Sequence, residues 1–382
     1  MKFIAKTPYG LEALLEEELK AIGAKKINRL NRAIEFEGDW RLLYKANVHC
    51  RTALRILWPI TKFTAHNDRH LYSLTQKFDW STLLSNDKTF AIDCTANGDR
   101  FTHSQFAAQK MKDAIVDQFR EKTGQRPSVD VKNPDVQLNL HISDTEVTIS
   151  LDSSGDSLEK RGYRTESNDA PIGEVLAAGL VMLSGWDANS PFLDPMTGSG
   201  TIAIEAAMIH QNIAPGINRS FSFQKWADYD AAMFDEIIQK AKAAIKPCTT
   251  RIVARDIDMG AQAIARRNAQ RAGVADSIEF DCYDFKKSLP FAESAMVIIN
   301  PPYGERLEAG NDMEGFYHDI GFQLKHQYAN HTAWVISSNL SAMKMLGLKP
   351  EQRIKLFNGS LECRYNEYRL FKGKRIEQLT TS

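Results

Sequence analysis

Residues 300–304 read Asn-Pro-Pro-Tyr-Gly and follow the apolar run Met296-Val297-Ile298-Ile299. These residue types suit methyl transfer to a planar amino group. That chemistry needs acceptors that hold the two N–H hydrogens and leave the nitrogen lone pair aimed at the donor. Asn300 offers a side-chain carbonyl and Pro301 a backbone carbonyl, while Pro302 fixes φ and stiffens the turn. Tyr303 offers an aromatic face on which an extruded base can stack. Pro-Pro after a buried strand is also an ordinary way to end that strand. The assignment therefore rests on what accompanies it.

A second constellation is Asp194-Pro195-Met196-Thr197-Gly198-Ser199-Gly200-Thr201, placed between a predicted strand and a predicted helix. Glycines let backbone pass close to a ligand, and a helix start offers free N–H groups. Gly198 to Ala203 matches the dinucleotide pattern GxGxxA, although a tight strand-to-helix turn explains such a match without a ligand. The dinucleotide version expects an acidic residue about 20 positions on. Here the next strand ends only at Asp256, after a predicted helix over 227–245, which disfavours a nicotinamide cofactor. Asp194 before the turn instead suits the cationic amino-acid tail of an adenosylmethionine, with Thr197, Gly198, Ser199, Gly200 and Thr201 forming the cradle. Asp256, with Ile257 beside it, is assigned to the nucleoside, because a carboxylate can accept from both hydroxyls of a cis-diol. Asp258 is the better-placed cap for the following helix. Asp284 follows the third strand and can accept from an adenine amino group, or be a solvated loop carboxylate.

All these residues fall at carboxyl ends of strands, where open α/β sheets bind ligands. The elements that must position them alternate from residue 170 onward. Helices are predicted over 172–184, 201–210, 259–272, 315–328 and 340–346. Strands are predicted over 192–194, 251–256, 277–281, 295–299 and 332–337. Near-continuously apolar strands separated by helices mean a parallel sheet buried on both faces. Strands over 353–357 and 362–370 close it with an antiparallel edge hairpin.

The N-terminal half reads differently. Strands are predicted at 2–6, 31–36, 51–63, 89–94, 136–142 and 146–152, with helices at 10–22 and 104–120, a pattern of small α+β units. The stretch 153–169 is polar and reads as a linker whose arginines contact phosphate or simply face solvent. The chain has 382 residues, 43% hydrophobic and 25% charged, an ordinary globular composition of two or three domains. Net charge is zero, but residues 21–140 hold 19 Lys/Arg against 13 Asp/Glu, so a basic half is joined to an acidic one. That asymmetry points to a nucleic-acid-binding part and a catalytic part. No apolar stretch of membrane-spanning length stands out, and the start Met1-Lys2-Phe3-Ile4-Ala5-Lys6-Thr7-Pro8 lacks the apolar core expected of a signal peptide. The five scattered cysteines lack a CxxC pair, which fits a reduced, cytoplasmic protein without a metal site.

With Asp194-Pro195, Gly198-Ser199-Gly200-Thr201, Glu205 and Asn300-Pro301-Pro302-Tyr303-Gly304-Glu305-Arg306 in hand, the chain resembles the THUMP-containing RNA guanine-N2 methyltransferases of the UPF0020 group. Thr197 departs from the cysteine usual there. The resemblance implies an α/β fold: a Rossmann-like class I methyltransferase sheet at 156–382, behind an N-terminal ferredoxin-like domain at 1–63 and a THUMP domain at 64–155. It implies S-adenosyl-L-methionine as cofactor and N2-methylguanosine in 23S ribosomal RNA, or in a large-subunit precursor particle, as the product. Asn300, Pro301, Pro302 and Tyr303 would be catalytic. Arg100, Thr102, His103, Arg161 and Arg164 would contact RNA. A second methylase module fused downstream in some relatives is not expected. Rival readings are a transfer-RNA guanine-N2 methyltransferase, a DNA adenine-N6 methyltransferase and a non-catalytic RNA-binding assembly protein.

Overall fold

A computed structural model of the chain describes residues 1–165, 172–302 and 312–372. The first half contains β1 (Lys2–Lys6), α1 (Glu12–Ala21), β2 (Lys25–Leu30), β3 (Ala33–Glu37), α2 (Trp40–His49), β4 (Arg55–Thr64), α3 (Asp68–Thr75), β5 (Thr89–Asn97), α4 (Ser104–Thr123), β6 (Ser128–Val129), β7 (Val136–Ser143) and β8 (Glu146–Asp152). The second contains α5 (Glu174–Leu183), β9 (Phe192–Asp194), α6 (Thr201–His210), α7 (Ala231–Ala243), β10 (Ile252–Asp256), α8 (Met259–Ala272), β11 (Ile278–Cys282), β12 (Met296–Ile299), α9 (Met313–Gln327), β13 (Thr332–Ser337), α10 (Leu340–Met345), β14 (Arg353–Asn358) and β15 (Leu361–Arg369).

The second half builds a seven-stranded sheet in the order β11-β10-β9-β12-β13-β15-β14. β11 to β13 run parallel, whereas β15 lies antiparallel to β13 and to β14. Side chains alternate between two cores, as strand geometry requires. Phe192, Ile252, Ile298 and Ile336 face the core covered by α5 and α6. Leu193, Val253, Val297 and Val335 face the core covered by α9 and α10. Burial on both faces explains why these strands are apolar throughout.

The first half forms an eight-stranded sheet, β2-β3-β1-β4-β8-β7-β5-β6. β4 joins its two parts: its first residues pair with β1, and most of its length pairs with β8. Pro59 in that strand sits at a register shift, where a missing N–H is tolerated. No helix among the described residues is long and apolar enough to cross a membrane.

Two sequence expectations are corrected here. The stretch after β8 is not an open linker over its described part. Ser153 and Ser154 are buried and bonded to Asn47: Asn47 Nδ2 donates to Ser153 Oγ at 2.9 Å, and Ser154 Oγ donates to Asn47 Oδ1 at 2.6 Å. Residues 166–169 of that stretch lie outside the described residues. Arg161 and Arg164 are not free to meet RNA. The Arg161 side chain is 1% exposed and lies 2.9 Å from the equally buried Glu205. Tyr163 donates to the same Glu205 at 2.8 Å. Arg164 donates to Glu174 at 2.7 Å and to Ile172 O at 2.7 Å.

This cluster ties the halves together. Arg161 donates to Arg51 O at 2.7 Å, and Arg51 donates to Ile213 O at 2.7 Å. α1 begins against α5, where a Cβ on Gly179 would stand 2.6 Å from Leu11. Removing one member of a buried ion pair leaves an uncompensated charge. Arg161→Ala should therefore lower unfolding free energy by about 3–5 kcal/mol in urea denaturation. An unchanged midpoint would return Arg161 to a surface role.

Candidate active site

β9 and β12 are hydrogen-bonded parallel neighbours, with Phe192 opposite Met296 and Leu193 opposite Val297. Asp194 and Asn300 therefore leave the sheet at one edge. The order of connection also reverses here, since β10 and β11 lie on one side of β9 while β12 and β13 lie on the other. Such a reversal opens a crevice at the carboxyl ends of the strands. A cavity of about 670 Å³ occupies it, with Gly198, Asp256, Tyr283, Asp284, Asn300 and Phe316 in its wall. That volume lies in the range of small-molecule sites.

The loop after β9 is held from three sides. Thr197 Oγ1 donates to Asp194 at 2.7 Å, and Thr197 N donates to Arg255 O at 2.9 Å. Gly198 N donates to Asp256 Oδ2 at 2.8 Å. Asn268, on α8, donates to Ser199 O at 3.0 Å. Gly198 has φ +52°, and a Cβ there would meet no heavy atom of the described residues within 4 Å. Its backbone therefore presents an open cradle to the cavity. Gly200 has the opposite surroundings: with φ +86°, a Cβ would stand 2.9 Å from that of Ala265. It starts α6 and lets the helix end approach α8, but does not line the cavity.

Asp256 also accepts from Asp258 N at 3.0 Å through Oδ1. A carboxylate has about four acceptor sites, so capacity remains on both oxygens. Asp258 caps α8 by accepting from Gly260 N at 2.7 Å. Asp284 accepts from Lys286 N at 3.0 Å through Oδ1. Ile257 lines the cavity with 69% of its surface exposed, an open apolar face beside two carboxylates. Acceptors spaced around an apolar face, with a glycine cradle beside them, suit a ribose-bearing nucleoside. At another point of the wall, Asn300 Oδ1 is buried with no hydrogen-bond partner among the described residues. A buried acceptor left unpaired is costly unless a donor arrives from a ligand or water.

The structure redistributes several expected roles. Asp194 is fully buried beneath the loop and is not in the cavity wall. Its position supports the cradle through Thr197, so direct contact with a ligand tail is corrected to support of the loop. Thr197, Ser199, Thr201 and Pro302 line the cavity, whereas Pro301 is buried behind it. Tyr303, Gly304, Glu305 and Arg306 lie outside the described residues. Arg100, Thr102 and His103 are exposed on the connection from β5 to α4. Tyr283, Lys286 and Phe316 were missed. Tyr283 follows β11 at the same strand edge, a signal the sequence carried. Phe316 comes from α9, with Lys286 Nζ 5.6 Å over its ring, and only the tertiary fold brings it in.

Known proteins resemble the chain along its whole length. Residues 161–367 match the UPF0020 family, described as an RMKL-like methyltransferase domain. Residues 65–152 match the THUMP domain, and residues 2–57 the RlmL ferredoxin-like domain. A Ribosomal RNA large subunit methyltransferase K/L from Shewanella baltica is 38% identical over 97% of this chain and 53% of its own. The chain thus spans about half the length of the curated relatives it matches. A possible methylase from Clostridium difficile 630 has a solved structure 32% identical, with TM-score 0.87 over 98% of this chain and 99% of that one. Another structure, solved in complex with SAH, is 28% identical with TM-score 0.87 over the same shares.

Burial pushes the Asp194 carboxyl up to about 7; nearby Asp256 pushes the same way, and the Thr197 hydroxyl opposes both. Between the ordinary carboxylate range and pH 7 the folded protein holds a proton that the unfolded chain has lost, so stability falls as pH rises. Asp194→Asn removes this titration and keeps an acceptor for Thr197. The variant should gain on the wild type by on the order of 2 kcal/mol between pH 5 and pH 8, read from paired denaturation curves. A difference independent of pH would contradict this.

Proposed function

The chain belongs to the UPF0020 family of RMKL-like methyltransferase domains, and from that premise we propose that it moves a methyl group from S-adenosyl-L-methionine to the N2 amino group of a guanine in large-subunit ribosomal RNA. The observation that carries this reading is Asn300, whose buried carbonyl lacks a partner in the same cavity as the Gly198 cradle and Asp256.

The residues present fit the donor. Asp256 would accept from its ribose hydroxyls, Asp284 from its adenine amino group, and Ile257 would lie against the adenine. Thr197, Gly198, Ser199 and Thr201 would border its amino-acid tail, with Asp194 holding the loop from behind. The neighbour bound to SAH, the demethylated form of this donor, supports the choice. When bound, the donor supplies an electrophilic methyl group on sulfur.

Asn300 Oδ1 would accept an amino hydrogen and so help to aim the nitrogen lone pair, with Pro301 holding the turn from behind the wall. Tyr303 would stack on the base drawn out of its helix. Alkylation makes the nitrogen more acidic, so its proton can leave after transfer and no dedicated base is needed. His318, two-thirds exposed beside Asp319, has no part in this scheme. Positioning and exclusion of water carry most of the rate.

The RNA assignment draws on the THUMP match and on the basic excess across residues 21–140. The three-part division at 63/64 and 155/156 belongs to the same proposal, with the first two parts gripping RNA. The names of the curated relatives favour ribosomal RNA. The substrate is then 23S RNA or a precursor particle, modified by the methylase module of this chain.

Offered labelled donor with ribosomal RNA, transfer RNA and DNA side by side, the protein should label guanine in ribosomal RNA. Label confined to transfer RNA or to adenine would overturn the substrate assignment. Asn300→Ala should cut single-turnover methylation by about 10²-fold or more while leaving calorimetric donor binding near normal. Unchanged turnover would remove Asn300 from the chemistry.

A further inference from the structure

A second cavity, of about 210 Å³, lies where three parts of the chain meet and shares no lining residue with the first. Trp40 enters it from the start of α2, Trp58 from β4, and Lys225 and Trp226 from the segment between α6 and α7. Lys88 and Asp228 stand in the same wall. The indoles cluster: Trp40 meets Trp58 edge-on with ring centres 4.8 Å apart and Trp226 at 5.8 Å, while Trp58 and Trp226 are 6.1 Å apart. All three are only partly buried.

Packing between the halves does not account for these details. A seam built only to be filled would leave no cavity and would pair its indole N–H groups. Here Trp226 Nε1 is buried without a hydrogen-bond partner among the described residues. Lys225 Nζ donates to Asn133 Oδ1 at 2.7 Å and to Pro134 O at 2.8 Å, both neutral acceptors. Lys88 and Lys225 share this rim with acidic groups: both interact electrostatically with the Asp135 carboxylate, and Lys225 also with Asp130. Aromatic faces flanked by cations are how proteins hold unpaired nucleotides. The volume is below that of sites for drug-sized ligands and suits one planar heterocycle.

We propose that this cavity takes one unpaired base of the RNA substrate, stacked on the open indole surfaces, with the adjoining phosphates on Lys88 and Lys225. The Trp226 N–H and the Asp228 carboxylate would meet the polar edge of that base. The inference rests on the RNA reading above and adds to it an anchor remote from the base being methylated. Because the pocket joins the RNA-binding half to the catalytic half, an anchored base sets the path of the strand toward Asn300.

The test uses this whole chain and a short single-stranded oligoribonucleotide drawn from the methylated region, with its duplex as control. Tryptophan fluorescence should fall on binding the single strand and respond less to the duplex. Trp226→Phe, and separately Lys88→Ala with Lys225→Ala, should each weaken single-strand binding about tenfold. Calorimetric donor affinity should stay unchanged in every variant, which shows that the fold is intact. Wild-type affinity in both variants, or equal quenching by duplex, would overturn the pocket assignment while leaving the RNA reading in place. Failure of the wild-type protein to bind any RNA would sink both.

Discussion

Backbone hydrogen bonds between β9 and β12 join two stretches of chain far apart in sequence, and everything proposed for the active site depends on them. They place the end of Phe192-Leu193-Asp194 beside the end of Met296-Val297-Ile298-Ile299. A slip of one residue would exchange the two faces of a strand and drive Leu193 and Val297 into the wrong core. Burial on both sides thus sets the register, and the register sets the distance between the glycine cradle and Asn300. Parallel strands cannot be joined by a tight turn. The helices that make the crossovers are therefore as necessary to the site as the strands, and α8 also supplies Asn268 to the loop.

The same economy governs how the two halves meet. Arg161, Tyr163 and Glu205 form a charged cluster with almost no exposure, linked to Arg51 of the N-terminal half. Buried ion pairs are poor sources of net stability, because desolvation offsets their attraction. They are demanding about geometry, since each partner is costly when left alone. That demand holds the basic half in one attitude to the edge that carries the larger cavity. The tryptophan cluster lies in another part of the same junction, where packing is incomplete.

Elements whose own side chains decide their state were legible. β9, α6, α8 and β13 have the bounds read from sequence, because continuous apolar runs mark the strands and Asp258 and Gly273 punctuate α8. β2 was missed: it is a charged, exposed edge strand, whose lack of a buried face protects the sheet edge and erases the alternation. α2 was missed although Asp39 caps it by accepting from Leu42 N, a signal present in the sequence. The polar stretch after β8 misled for a physical reason. Its Ser and Arg side chains find partners at Asn47 and Glu205, distant in sequence, so composition alone suggests solvent. In the site, the rule that ligands meet strand ends located Gly198, Asp256, Asp284 and Asn300. It does not reach residues such as Phe316, which arrive from a helix by tertiary packing, and it placed Asp194 in contact when the fold puts it one layer behind.

The central claim is that donor and target amine meet in a single cavity at this strand edge. A bisubstrate probe, an adenosyl group tethered through its sulfur position to the N2 of guanosine, tests this most directly by calorimetry. One cavity predicts at least about tenfold tighter binding than the adenosyl half alone, since the second half binds without a second association cost. It also predicts that Asn300→Ala removes this gain while the affinity for the adenosyl half persists. A probe that binds no better than its adenosyl half, or a gain indifferent to Asn300, would contradict the account.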